Sequence, residues 1–197
     1  MASFLISLDV KGRACLVVGG DAEAARRAQR LLACGARVTV VWPEADEALI
    51  AWMTAEGVSW ERRGPSAADL AARPFLLVST PRDAALSAWL FAEAERHGVL
   101  VCCCDQLPFA NYAHVAVADA GTVTVGVASG GTAPGLVARL RDALARGLDG
   151  EFAEYARHLA ALRAATPAPL RRAALDAALD GLRAELVVRL PEGWRTR

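Results

Sequence analysis

Two glycines directly after one apolar run, and a carboxylate directly after another, are where this chain can do chemistry. Ala14-Cys15-Leu16-Val17-Val18 ends in Gly19-Gly20-Asp21, and a helical pattern begins at Ala22. Such a turn lets backbone N–H groups face a phosphate at the start of a helix. A dinucleotide fingerprint asks for Gly-x-Gly-x-x-Gly/Ala, and Gly19, Asp21 and Ala24 stand at its three places. The middle glycine normally admits the pyrophosphate, so Asp21 puts a side chain and a charge there. Asp21 either repels a phosphate or turns to cap the helix.

Asp105 closes the apolar run Val99–Cys104 and is followed by Gln106-Leu107-Pro108. A carboxylate at the carboxyl end of a parallel strand is placed to act as a general base. It is equally suited to capping its own turn before a proline. Ser129-Gly130-Gly131-Thr132 leads into a helix opening near Pro134. Its small residues expose N–H groups as an anion site, while Ser129 or Thr132 also suits the N-cap. His97 falls at a helix end and His158 on a polar helix face. His114, soon after Asp105, is the histidine placed to bind substrate or carry a proton. No partner stands at metal-ligand spacing, so no metal site is expected. Cys102, Cys103 and Cys104 read as a strand, alternate to opposite faces and act as small hydrophobes.

The elements that must position these groups alternate. Phe4–Leu8 reads as a short strand, 14–18 as a strand, 22–33 as a helix ended by Gly35, and 37–41 as a second strand. Helix 45–56, strand 58–61, a helix capped by Ser66, strand 75–79, helix 82–97 and strand 99–104 follow. That alternation predicts an α/β fold with a Rossmann-like, doubly wound parallel sheet. Residues 116–127 then read as a β-hairpin around Asp119-Ala120-Gly121. Helices are expected over 134–146, 151–165 and 170–189, the last with Leu175, Leu179, Leu182 and Leu186 on one stripe. The expected division is 1–115 as the nucleotide-binding domain, 116–147 as dimerisation strands with a linking helix, and 148–197 as a helical domain.

Composition narrows the partners. Of 197 residues, 54% are hydrophobic and 22% charged, which describes a folded chain. The formal net charge is zero, so no global basic field recruits nucleic acid or an anionic membrane. No apolar run approaches the ~20 residues that span a bilayer, and the first residues lack the basic region of a signal peptide. A cytoplasmic setting with five reduced cysteines is the expectation.

Taken together, the chain resembles the precorrin-2 dehydrogenase family, which carries out the NAD-dependent step of sirohaem synthesis alone or as part of larger sirohaem synthases. The likeness rests on Val18-Gly19-Gly20, the basic pair Arg26-Arg27, and Gly35-Ala36-Arg37-Val38-Thr39-Val40-Val41-Trp42-Pro43. It continues at Cys104-Asp105-Gln106-Leu107-Pro108 and Ser129-Gly130-Gly131-Thr132-Ala133-Pro134. The resemblance implies a homodimer that oxidises precorrin-2 to sirohydrochlorin, with Asp105 as the catalytic carboxylate and metal chelation in some members. It implies NAD contacts at Gly19, Gly20, Ala22, Glu23, Pro43, Glu44 and Thr80. Ser129 matches a serine that is phosphorylated in some members. A tetrapyrrole carries many carboxylates, so Arg139, with Arg141, Arg146 and Arg157, are candidate clamps beside Ser129, Gly130, Gly131, Thr132 and His114. The chain departs from the family at Asp21, in the third glycine place, at Ser87, where an Asn is usual, and over Tyr112–Val115. Two other readings remain: a chelatase or tetrapyrrole-binding paralogue without NAD, and a non-enzymatic dimeric partner.

Overall fold

A computed structural model of the chain describes residues 4–190. The chain divides into two compact units, Met1–His114 and Val115–Arg197. In the first, β1 (Ala14–Val18), β2 (Arg37–Val41), β3 (Ser59–Glu61), β4 (Leu76–Ser79) and β5 (Leu100–Cys103) form one sheet in the order β3-β2-β1-β4-β5. Every pairing is parallel. The order turns back between β1 and β4, and that reversal opens a crevice at the carboxyl ends of those two strands.

The sheet is buried on both faces, which is why its strands read as near-continuous apolar runs. Cys15, Val17, Val38, Val40 and Val78 pack on one face against Ala24, Ala28 and Leu31 of α1 (Ala22–Ala33) and Leu49 and Met53 of α2 (Glu47–Glu56). Leu16, Val18, Leu77 and Val101 pack on the other against Leu70 of α3 (Ala67–Ala71) and Leu90 and Ala94 of α4 (Ala84–His97). The strand period of two decides each side. Asn111 covers the outer edge of β5: its Oδ1 accepts from Val101 N–H at 2.8 Å and its Nδ2 donates to Val99 O at 3.1 Å. That clamp turns the chain back to Tyr112 and His114.

The second unit holds the antiparallel pair β6 (Ala116–Ala120) and β7 (Val123–Val127), with α5 (Pro134–Gly147), α6 (Gly150–Ala165) and α7 (Arg171–Ala178). Asp149 caps α6 by accepting from Phe152 N–H at 3.0 Å. Tyr155 ties α6 to the end of α7 by donating to Ala178 O at 2.6 Å. Leu175, Leu179 and Leu182 face Phe152 and Leu159 across an apolar cavity of about 410 Å³.

Three local expectations are corrected. Phe4–Leu8 forms no strand, and Phe4 is 89% exposed; an apolar run without an adjacent strand has no ladder to join. The final helix stops at Ala178 instead of residue 189, because Gly181 takes a left-handed φ of 82° and ends the helical path. The hairpin reverses at Gly121-Thr122, so Asp119 and Ala120 stay within β6.

Candidate functional site

The turn after β1 is shaped by close approach. A Cβ on Gly19 would lie 2.1 Å from Thr80 Oγ1, and one on Gly20 would lie 2.0 Å from Glu44 O. Only glycine lets the β2–α2 loop settle on this turn, where Asp46 N–H donates to Gly20 O at 2.8 Å. The result is a cleft of about 390 Å³ at the carboxyl ends of β1, β2 and β4. Gly19, Gly20, Asp21, Glu44, Asp46 and Thr80 are among its lining.

Asp21 is the N-cap of α1. Its Oδ1 accepts from Ala24 N–H at 2.8 Å and from Thr80 Oγ1 at 3.0 Å. The carboxylate therefore spends one oxygen on the helix start and on β4, as a cap does. Of the two readings of Asp21, the structure adopts the cap. Ala22 and Glu23 follow it in the first turn. Glu23 pairs with Arg26 and with Arg27, the latter at 2.7 Å, so its charge is drawn toward the helix flank. Pro43 is exposed on the same β2–α2 loop.

Asp105 lies just past β5 with a left-handed φ of 60°, a conformation that costs a non-glycine residue energy. Arg82, in the β4–α4 loop, donates to Asp105 Oδ2 at 2.6 Å, and both side chains are exposed. Gln106 fastens its turn to the β4–α4 loop and to α4: its Nε2 donates to Pro81 O at 3.2 Å and to Ser87 Oγ of α4 at 2.7 Å. The carboxylate is thus held at the sheet's carboxyl edge with a guanidinium against it. Burial pushes the Tyr112 phenol up, and its OH lies 3.5 Å from His114 Nε2. His114 keeps solvent contact, yet surrounding protein, and then the Arg27 charge, push its imidazole down, which favours the neutral ring.

Ser129, Gly130, Gly131, Thr132 and Arg139 all lie in the second unit. The loop is self-contained: Thr132 Oγ1 donates to Ser129 O at 2.7 Å and Ser129 Oγ accepts from Ala133 N–H at 3.0 Å. Neither Ser129 nor Thr132 is the N-cap of α5. That place falls to Ala133, because Gly130 and Gly131, at φ 60° and 82°, spend the hydroxyls inside the loop. Arg139 is exposed on α5. Sequence reasoning missed Arg82 and Asp46. Both stand just past a strand's carboxyl end, where ligand groups of open α/β sheets gather.

Comparison with known proteins agrees with this geometry. A family model described as "Putative NAD(P)-binding" matches residues 6–116. A siroheme synthase of Chromobacterium violaceum is 32% identical over 193 residues, covering 95% of this chain and 41% of the relative. A siroheme synthase of Pseudoalteromonas atlantica is 32% identical over 144 residues, covering 73% of this chain and 31% of the relative. The chain thus spans well under half the length of these relatives. A solved structure titled SirC, precorrin-2 dehydrogenase superposes with a TM-score of 0.73 at 23% identity, covering 91% of this chain and 90% of that one.

Proposed function

For a chain that belongs to this NAD(P)-binding family and is similar to part of the siroheme synthases, we propose NAD-dependent oxidation of precorrin-2 to sirohydrochlorin. The observation that carries the proposal is the cleft over Gly19-Gly20, with Asp21 turned into its cap and Asp105 on the same edge of the sheet. The residues fit a dinucleotide. Two glycines hold space that a Cβ would fill, a helix N-terminus faces the cleft, and the lining carboxylates suit ribose hydroxyls. When bound, the nicotinamide supplies the hydride acceptor.

The chain's own groups do the rest. Gly19 and Gly20 bring backbone close to the phosphates, with Ala22 N–H at the first helical position. Asp105 takes the proton that leaves as the macrocycle is oxidised, at Oδ1, while Arg82 holds Oδ2. Arg82 also stands ready to pair with a substrate carboxylate. Arg139 and the Ser129–Thr132 loop are proposed to bind further carboxylates, and His114 to donate a neutral hydrogen bond. Pro43 borders the adenosine side.

The cofactor is NAD in preference to NADP. Among the described residues no Lys or Arg lines the cleft, whereas Asp21, Glu44 and Asp46 do. A 2′-phosphate would meet carboxylates and no cation. Isothermal titration tests this: NAD should bind at least tenfold tighter than NADP, and equal affinities would refute the assignment.

The protein is proposed to act as a homodimer through residues 116–147, since α5 buries no residue within its own chain. Residues 148–197 are proposed as the helical domain. Among the described residues no helix is long and apolar enough to cross a membrane.

A further inference from the structure

The Asp105–Arg82 pair needs a support that neither partner provides. Asp105 is the third residue of a turn that Gln106 N–H closes by donating to Cys103 O at 3.1 Å. Its φ of 60° is one that glycine or asparagine usually takes at that place in a turn. An aspartate keeps such a backbone where the surrounding contacts impose it. Arg82 is too weak a constraint, because both side chains of the pair are exposed and an exposed pair fixes geometry poorly.

Gln106 supplies the constraint. Its side-chain amide has two N–H donors, and both are used, on Ser87 Oγ at 2.7 Å and on Pro81 O at 3.2 Å. Ser87 is 0% exposed within α4, so that end of the clamp is set in the packed core. Pro81 precedes Arg82 and lines the cleft. On the other side of Arg82, Asp83 caps α4 by accepting from Ala85 and Leu86 N–H at 2.9 and 3.0 Å. Arg82 therefore stands between two anchored residues, and the amide that anchors one of them also anchors the turn of Asp105.

Resting on the reading of Asp105 as the proton acceptor, we propose that Gln106 is a positioning residue, which through Ser87 and Pro81 sets the Asp105 carboxylate against Arg82 and in register with the cleft. Gln106 acts through Asp105 alone. Misplacing a reacting group by about 1 Å costs up to ~100-fold in rate, so losing one anchor among several should cost about tenfold. Cofactor affinity should not follow, because the adjoining wall of the cleft is held separately. Thr80 N–H donates to Val18 O at 2.9 Å and Thr80 Oγ1 to Asp21 Oδ1 at 3.0 Å.

The test uses Gln106→Met, which keeps the length of the side chain and removes both donors, and it has two readouts. The first is amide hydrogen exchange by NMR on protein without NAD or substrate. Protection of the amide at position 106 should fall about tenfold, while Val17 and Val40, buried in the sheet, keep theirs and show an intact fold. The second is NAD-dependent formation of sirohydrochlorin. There kcat should fall about tenfold with KM for NAD within about twofold, and the same substitution should change the residual rate of Asp105→Asn by less than about twofold. Ser87→Ala, which removes one of the two bonds, should move both readouts the same way by less, and it carries the test if Gln106→Met does not fold. Unchanged protection at position 106, or a tenfold loss of rate that persists in the Asp105→Asn background, overturns the proposal. A wild-type rate for Asp105→Asn refutes the reading of Asp105 and the positioning role with it. A slow Asp105→Asn beside a fast Gln106→Met refutes the positioning role alone.

Discussion

Thr80 donates from Oγ1 to Asp21 Oδ1 at 3.0 Å, joining the loop after β4 to the first residue of the α1 turn. This bond bears on the one letter of the fingerprint that is out of place. A carboxylate that accepts from Thr80 and from Ala24 N–H has its charge partly spent before any phosphate arrives. The cap contributes about 1 kcal/mol, comparable to the repulsion a surface carboxylate exerts on a nearby anion. The two effects are close enough for the turn to tolerate the substitution.

Replacing Asp21 should therefore shift affinity modestly. Asp21→Gly removes cap and charge together, costs about 1 kcal/mol of stability with the Thr80 bond included, and tightens NAD by less than about tenfold. Thermal unfolding and calorimetry on the same sample check both. A gain of several orders of magnitude would mean that Asp21 blocks the site.

Gly20 should be far less forgiving. A Cβ there meets Glu44 O at 2.0 Å, and backbone cannot step aside as a flexible side chain can. Gly20→Ala should cost about 2–3 kcal/mol and abolish NAD binding, since the β2–α2 loop must move. Denaturant unfolding with an NAD titration decides it, and a neutral variant would show that the close approach is not needed.

Much of this was legible in the sequence, for physical reasons. Val17 and Cys15 against Leu16 and Val18 needed only the strand period, and Gly35 marked where α1 ends. The contacts that make the cleft were not legible. Gly20 meets Glu44, and Arg82 meets Asp105 23 residues on, only because β2 and β5 lie where the sheet puts them. Phe4–Leu8 looked like a strand because apolar pattern reports burial tendency and is silent on whether a partner edge exists. Gly181, by contrast, was visible as a helix stop inside the 170–189 pattern, and the leucine stripe outweighed it.

Arg82 and Asp105 should separate function from stability. The pair is 79% and 68% exposed, and exposed pairs contribute about 0–1 kcal/mol. Arg82→Gln should leave the unfolding midpoint nearly unchanged while lowering kcat about tenfold. Asp105→Asn should lower kcat by about 100-fold or more with folding intact. Steady-state kinetics beside a melt distinguishes these outcomes from simple destabilisation.

Acid should weaken the first unit at Asp69. Arg63 forks onto its carboxylate at 2.8 and 2.7 Å, and Ser66 N–H donates at 2.7 Å, which together hold the carboxyl below the usual range. A native value below the unfolded one means the stabilisation is complete above about pH 4 and is lost as pH falls through the native value. Asp69→Asn should cost about 1 kcal/mol at pH 7, discounted for the half-exposed arginine, and flatten the acid limb of stability. An unchanged acid limb would show that Asp69 is not its source.

The most direct test of the proposed chemistry is anaerobic incubation of the purified protein with precorrin-2, with and without NAD, following the absorbance of sirohydrochlorin. NAD-dependent formation of sirohydrochlorin, lost in Asp105→Asn, is the predicted result. Protein that binds NAD and the tetrapyrrole yet forms no sirohydrochlorin would contradict the account.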